Sequence, residues 1–123
     1  MADAVTTIEI YQGDYVPIEI EVTENDVALD ITGYTLFFMV KDDVEDLDDD
    51  AVIDITILPE DLTDPTHGIT LMEITHEDSD VPVMKGRVYG FKLIDTDGNP
   101  VTFDEGKFNV IRPTVRKVEV PTS

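Results

Sequence analysis

The sequence predicts an all-β fold, a two-sheet β-sandwich or barrel built from about 7–9 short strands. Polar and apolar residues alternate with a period of two in several segments, and no segment keeps a helical spacing of apolar residues. Turn residues recur between these segments at intervals of about 8–12 residues. With 41% apolar residues in 123, the chain can bury the core of one domain. The lack of cysteine and tryptophan excludes the disulfide and tryptophan core of an antibody-type domain.

The first half of the chain contains four extended segments. Residues 6–11 and 16–23 alternate polar and apolar side chains, the pattern of strands with one buried face. Pro17 cannot donate a backbone hydrogen bond, which places the second of these segments at a sheet edge or a bulge. A short extended piece at residues 27–31 precedes residues 34–41, where positions of both parities are apolar. This pattern predicts a central strand.

The second half supplies the remaining strands, which we predict at residues 51–58, 68–75, 87–94, 101–104 and 107–112. The connections at residues 59–67 and 76–84 are rich in turn residues, and the first has room for one helical turn. We expect residues 34–41, 87–94 and 107–112 to form the centre of the sandwich. Their buried side chains should include Phe38, Val40, Tyr89, Phe91, Phe108 and Val110.

Acidic residues dominate the surface expected for this fold. The formal net charge is −20, and up to Met84 the one basic residue is Lys41, against 23 acids. From Lys85 onward seven basic residues stand against five acids. Residues 42–50, the acidic loop, contain seven acids. Such a charge repels nucleic acid and anionic membranes, and it fits either a protein of a high-salt cytoplasm or an acidic mesophilic protein.

The residue types that enzymes use are scarce or placed without partners. The chain has no cysteine, which excludes thiolate nucleophiles, thiolate metal sites and disulfides. Ser79 and Ser123 lie outside any nucleophile-elbow motif, and the sequence has no glycine-rich phosphate loop. His67 and His76 stand among acids and turn residues without a ligand set. We therefore expect a protein that is not an enzyme, with no catalytic residues and no cofactor.

One segment carries a weak cation-binding pattern. Asp95, Asp97 and Asn99 have the spacing of the first ligands of a calcium loop. The position that should hold the closing glutamate is Asp104, which falls in the next predicted strand. Asp97-Gly98 is also the pair that a tight hairpin turn requires, because the turn needs positive φ. We favour the hairpin, and the three residues remain weak metal candidates.

Four motifs follow one another between residues 8 and 112. They are Ile31-Thr-Gly-Tyr-Thr-Leu-Phe-Phe-Met-Val-Lys41, Asp64-Pro-Thr-His-Gly-Ile-Thr-Leu71, Gly86-Arg-Val-Tyr-Gly-Phe-Lys-Leu-Ile-Asp-Thr-Asp-Gly-Asn-Pro-Val101 and Gly106-Lys-Phe-Asn-Val110. In order and spacing they resemble the immunoglobulin-like N-terminal domain of tailed-phage baseplate upper proteins. The chain departs from that family in its shorter length, in Tyr89-Gly90-Phe91 where the family has Tyr-x-Tyr, and in its highly charged acidic loop.

The resemblance implies an immunoglobulin-like sandwich over residues 1–112, followed by an extended tail over residues 113–123. It also implies a structural virion protein of a tailed virus, placed in the baseplate, the tail or the capsid surface and assembled in the host cytoplasm. Its partners would be other virion proteins and copies of itself, with no nucleic acid and no membrane. Combined with the acidity, it suggests a virus of a halophilic archaeon. The alternative is a carbohydrate- or cell-surface-binding module, although such modules display exposed aromatic residues and this chain has no tryptophan.

The tail offers the candidate partner contacts. Arg116 and Lys117 make a cationic spot on an otherwise acidic molecule. Val115, Val118 and Val120 supply apolar side chains in an extended-prone stretch flanked by prolines. We predict that these five residues add a strand to the sheet edge of a neighbour and meet its acids, such as those of the acidic loop. The alternative is a frayed chain end.

Overall fold

The computed structural model describes residues 6–114, which form nine strands and three single-turn 3₁₀ helices. The strands are β1 (Thr6–Tyr11), β2 (Val16–Glu21), β3 (Thr23–Glu24), β4 (Val27–Ala28), β5 (Thr35–Lys41), β6 (Ile53–Ile57), β7 (Ile69–Ile74), β8 (Met84–Ile94) and β9 (Pro100–Ile111). The 3₁₀ helices are Asp48–Asp50, Pro59–Asp61 and Pro65–His67. Within this part of the chain no helix has the length and hydrophobicity needed to span a membrane. The all-β prediction is confirmed.

The strands form two facing sheets and a small ribbon. The larger sheet has the order β1-β9-β8-β5-β6, and β2 pairs with β7 in the second sheet. β1 runs parallel to β9, whereas the other pairs of the larger sheet are antiparallel. β3 and β4 make a two-residue antiparallel ribbon. The inward side chains of both sheets meet in one apolar cluster, the arrangement of a β-sandwich.

The core is built from alternate residues of each strand. On β5 the side chains of Leu36, Phe38 and Val40 are fully buried, while those between them are half-buried. Phe38 lies at the centre, with ring centroids 4.7 Å from Phe91, 6.0 Å from Tyr89 and 6.1 Å from Phe108. The six side chains predicted to be buried are all buried, namely Phe38, Val40, Tyr89, Phe91, Phe108 and Val110.

Some details differ from the sequence prediction. β9 is one continuous strand instead of two, because Gly106 stays extended and pairs with Tyr89 on β8 and Thr6 on β1. The connection at residues 59–67 contains two 3₁₀ turns in place of one. β5 is internal in its sheet, as predicted, but only one of its faces is buried. Phe37 and Met39 lie on the other face and are half-buried.

Gly68 explains one of the four family-like motifs in physical terms. It has a φ of +70°, a conformation that residues with a Cβ rarely adopt. A Cβ at this position would also lie 2.5 Å from the carbonyl oxygen of Val22 and 2.6 Å from that of Leu29. The carbonyl of Gly68 accepts a hydrogen bond from the Val22 N–H at 2.7 Å. The glycine is therefore required where the end of β2 meets the start of β7.

Candidate interaction surface

The outer face of the five-stranded sheet contains a groove of about 420 Å³. Its floor is formed by residues that alternate with buried ones on neighbouring strands and so point away from the core. The lining residues are Phe37, Met39, Lys41, Val44, Asp48, Val88, Tyr89, Gly90, Phe91, Lys92, Thr102, Glu105 and Gly106. An apolar concave surface of this kind on a sheet face is a candidate binding surface.

Gly90 lies at the floor of the groove. In the cross-strand row it stands between Met39 on β5 and Glu105 on β9. A Cβ built on Gly90 would meet Glu105 at 3.7 Å, an ordinary van der Waals distance, and its φ is not in the left-handed region. Neither the backbone nor the neighbours therefore require glycine here, although glycine inside a strand is destabilising. Such a glycine is typical of a place where another chain approaches closely.

Lys41 and Lys92 line the groove, and Lys107 lies beside it. Lys41 and Lys107 flank Val88 in one cross-strand row, and Lys92 pairs with Phe37 in another. Within residues 6–114, neither Lys92 nor Lys107 forms an ion pair. Lys92 and Lys107 thus have no direct ion-pair partner in this part of the chain, and the charge of Lys92 also helps to lower the pKa of Asp48.

The acidic loop closes one side of the groove with Val44 and Asp48. The ammonium group of Lys41 holds the loop in place, because it donates to Asp48 Oδ1 at 2.7 Å and to the carbonyl of Asp46 at 3.1 Å. The hydrogen bond between Lys41 and Asp48 is the main cause that lowers the pKa of the Asp48 carboxyl, and the positive charge of Lys41 adds to it. The loop is thus an ordered wall of the groove as well as a cluster of exposed acids.

Arg87 ties the acidic loop to the core. Its side chain is only 2% exposed and lies on the inner face of β8. Nε donates to Asp42 Oδ1 at 2.7 Å, and Nη1 donates to the carbonyl of Pro82 at 2.7 Å. The Asp42 side chain is 52% exposed. One guanidinium group therefore joins the first residue of the acidic loop to the segment that leads into β8.

The weak metal candidates lie together in the turn between β8 and β9. Asp95 Oδ1 accepts the backbone N–H groups of Asp97 at 2.9 Å and Asn99 at 2.8 Å, and Gly98 has a φ of +84°. The Asn99 N–H is the main cause that lowers the pKa of Asp95. The hairpin interpretation is confirmed. Among residues 6–114 no three histidine, aspartate or glutamate side chains are grouped so that they could hold a metal ion.

His67 forms a local pair at the surface. Its Nδ1 lies 2.9 Å from Asp64 Oδ1, one residue before the 3₁₀ turn that His67 ends. The hydrogen bond that the His67 ring donates to Asp64 is the main cause that raises the pKa of His67. His76 lies in the connection that follows β7. The structure places both histidines in loops, as the sequence predicts.

The pairing predicts a measurable titration. We expect His67 to titrate with a pKa above about 6.5, and the Asp64→Asn variant to return it toward that value. Because the folded-state pKa is raised, the pair stabilises the fold at low pH, and this contribution is lost as pH rises through the folded pKa. NMR titration of the imidazole resonances measures this, with His76→Gln to assign them. An unaltered His67 pKa in Asp64→Asn would contradict the pairing.

The predicted tail contacts Val115, Arg116, Lys117, Val118 and Val120 lie outside the described residues. That prediction therefore stays a prediction. The groove was not predicted from the sequence, although the sequence contains one signal for it. The apolar residues at both parities of residues 34–41 indicated two apolar faces, of which Phe37 and Met39 occupy the outer one.

Comparison with known proteins finds a likeness among solved structures. No protein-family model and no curated protein matches the chain. Among solved structures, the chain is similar to the N-terminal domain of phage TP901-1 ORF48, with a TM-score of 0.55 and 12% sequence identity. The match covers 85% of this chain and 84% of that chain. At this identity the likeness shows a shared fold, and it extends over most of both chains.

Proposed function

We propose that this chain is a structural component of a tailed-virus particle and acts through protein–protein contacts. The observation that supports this best is the fold match to an N-terminal domain of a phage protein, over 85% of this chain. The family-like turn motifs agree with it, since Gly68 closes the contact between the end of β2 and the start of β7. Fold alone does not determine function, so the surfaces described above add the second line of support.

In this proposal the chain is not an enzyme. Ser79 is fully buried, and its hydroxyl donates to the carbonyl of Asp14 at 2.6 Å. Asp95 accepts backbone N–H groups in its hairpin turn, and His67 pairs with Asp64 at the surface. These side chains have structural roles, whereas the apolar groove, lined by Lys41 and Lys92, offers a surface for a protein partner.

The finer assignment concerns position, partners and host. We infer a place in the baseplate, the tail or the capsid surface, with other virion proteins and copies of this chain as partners. The host is inferred to be a halophilic archaeon. The support for it is the net charge of −20. Within residues 6–114 lysine and arginine form two ion pairs, Lys41–Asp48 and Arg87–Asp42, so most of the acidic side chains there are not neutralised by a direct ion pair.

The test of this function uses the virus particles themselves. Particles purified from cells that carry the gene should contain the protein in many copies per particle, as measured by quantitative mass spectrometry. Gold-labelled antibodies should locate it at one position on the particle in electron micrographs. Particles free of the protein, in cells that express it, would contradict the proposal.

The tail prediction is tested in the same particles. Deletion of residues 113–123 should leave the sandwich folded, because β9 ends at Ile111. We expect far-ultraviolet circular dichroism and the melting temperature to stay close to those of the full chain. Incorporation into particles should be lost, since the apolar and cationic side chains of the tail are removed. Full incorporation of the shortened chain would show that the sandwich faces make the contact alone.

A further inference from the structure

The outer face of the second sheet is acidic. Glu19 on β2 stands directly across from Leu71 on β7, and Glu21 and Glu73 flank this pair. All four side chains are exposed, and that of Leu71 is 40% exposed. Neither β2 nor β7 contains a lysine or arginine. This face, here called the acidic face, therefore presents three carboxylates around Leu71, with the apolar residues Pro17 and Ile69 at its two ends.

We propose that the acidic face of one copy docks into the groove of a second copy. Leu71 would enter the depression above Gly90, where Phe37 and Met39 supply an apolar wall. The surrounding carboxylates would meet Lys92 and Lys107, which form no ion pair within residues 6–114. The apolar centre of the groove and these two lysines thus complement the acidic face. Two carboxylates also line the groove: that of Asp48, which pairs with Lys41, and that of Glu105 beside Gly90.

The placement of the two surfaces determines the kind of assembly. The groove and the acidic face are the outer faces of the two sheets and point in opposite directions from the shared core. A contact between them is therefore heterologous, so each copy can bind one neighbour on each side. Repetition of this contact gives a closed ring or a filament. This inference rests on the proposed virion role.

Gly90 gives the most direct prediction. The Gly90→Val variant should fold, because a Cβ there meets no atom closer than 3.7 Å and valine is favoured in strands. Its side chain would fill the depression that Leu71 is proposed to enter. We expect self-association of the full chain to be weak, with a Kd on the order of 100 µM. Gly90→Val should weaken it by about tenfold or more.

Charge reversals on the two faces test the direction of the contact. Lys92→Glu removes a groove cation, and Glu19→Lys inverts a carboxylate beside Leu71, so each variant alone should lose association by about tenfold or more. Gly90→Val mixed with Glu19→Lys should form 1:1 dimers that do not grow, because each supplies the face that the other lacks. Lys92→Glu mixed with Glu19→Lys should instead recover association, because the two reversed charges can pair. Glu24→Lys makes the same charge change on the exposed β3 strand and is the matched control.

Sedimentation velocity on the full-length variants measures these states at concentrations up to about 1 mM. A wild-type chain that stays monomeric at both about 0.15 M and about 1 M salt would overturn the self-contact. The self-contact would also be overturned if Gly90→Val, Lys92→Glu and Glu19→Lys associated as strongly as the wild type does. If Gly90→Val fails to enter particles while the wild type is monomeric, a different virion protein occupies the groove. A chain that self-associates but is absent from particles would instead overturn only the proposed function.

Discussion

The Asp42→Ala variant should lose about 2–4 kcal/mol of unfolding free energy, because it leaves the buried guanidinium of Arg87 without its carboxylate. Nη1 would keep its bond to the carbonyl of Pro82, but Nε would have no protein partner. The half-exposed position of Asp42 lets water reach the site, which keeps the loss below that of a fully buried pair. Urea unfolding followed by circular dichroism measures it, since the chain has no tryptophan.

A double-mutant cycle separates this pair from the general effect of removing an acid. Asp49→Ala removes the same charge from the same loop, where Asp49 is exposed, and should be neutral or slightly stabilising. Arg87→Met replaces the buried guanidinium by an apolar side chain of similar length and should cost little. In the Arg87→Met background, Asp42→Ala should then have almost no effect. Equal losses in both backgrounds would show that Asp42 acts independently of Arg87.

The sequence predicts the strands best where one face is buried. β1, β2 and β7 show strict alternation, and their bounds agree with the predicted segments to within a residue or two. The parallel pairing of β1 with β9 could not be predicted, because it joins residues about a hundred positions apart through backbone groups. The continuity of β9 was missed for a related reason. Glu105-Gly106 has the composition of a turn, but strands on both sides of it supply hydrogen-bond partners.

The candidate surface was only partly predictable. Arg87 has the parity of Tyr89, so the alternation of β8 already placed it on the inner face. The burial of Arg87 was not expected from the sequence. The groups that offset the desolvation of its guanidinium, Asp42 and the carbonyl of Pro82, come from two separate loops. The alternation along β8 predicts that Gly90 lies on the outer face of the sheet. That no steric constraint requires a glycine there is seen only from its neighbours on the adjacent strands. The alternation of polar and apolar residues predicts which face of the sheet a side chain lies on. The groove could not be predicted in this way, because it forms only where β5, β8 and β9 become neighbours in the sheet.

The repulsion among acids predicts a strong dependence of stability on salt. Residues 42–50 hold seven acids in nine positions, and Lys41 and Arg87 pair with only two of them, Asp48 and Asp42. Exposed like charges interact over about 10 Å at 0.1 M salt and over about 3 Å at 1 M. Potassium chloride should therefore relieve most of the repulsion that opposes folding at low ionic strength.

We expect the melting temperature to rise steeply between about 0.1 M and 1 M potassium chloride. If screening recovers roughly 2 kcal/mol, the rise is about 5–15 °C for a domain of this size. The double variant Asp49→Asn, Asp50→Asn removes two exposed acids that form no ion pair within residues 6–114. It should melt higher than the wild type at low salt and show a smaller rise, since less repulsion remains to be screened. A melting temperature that does not change with salt would remove the physical argument for a high-salt host and leave the acidity as a property of the surface alone.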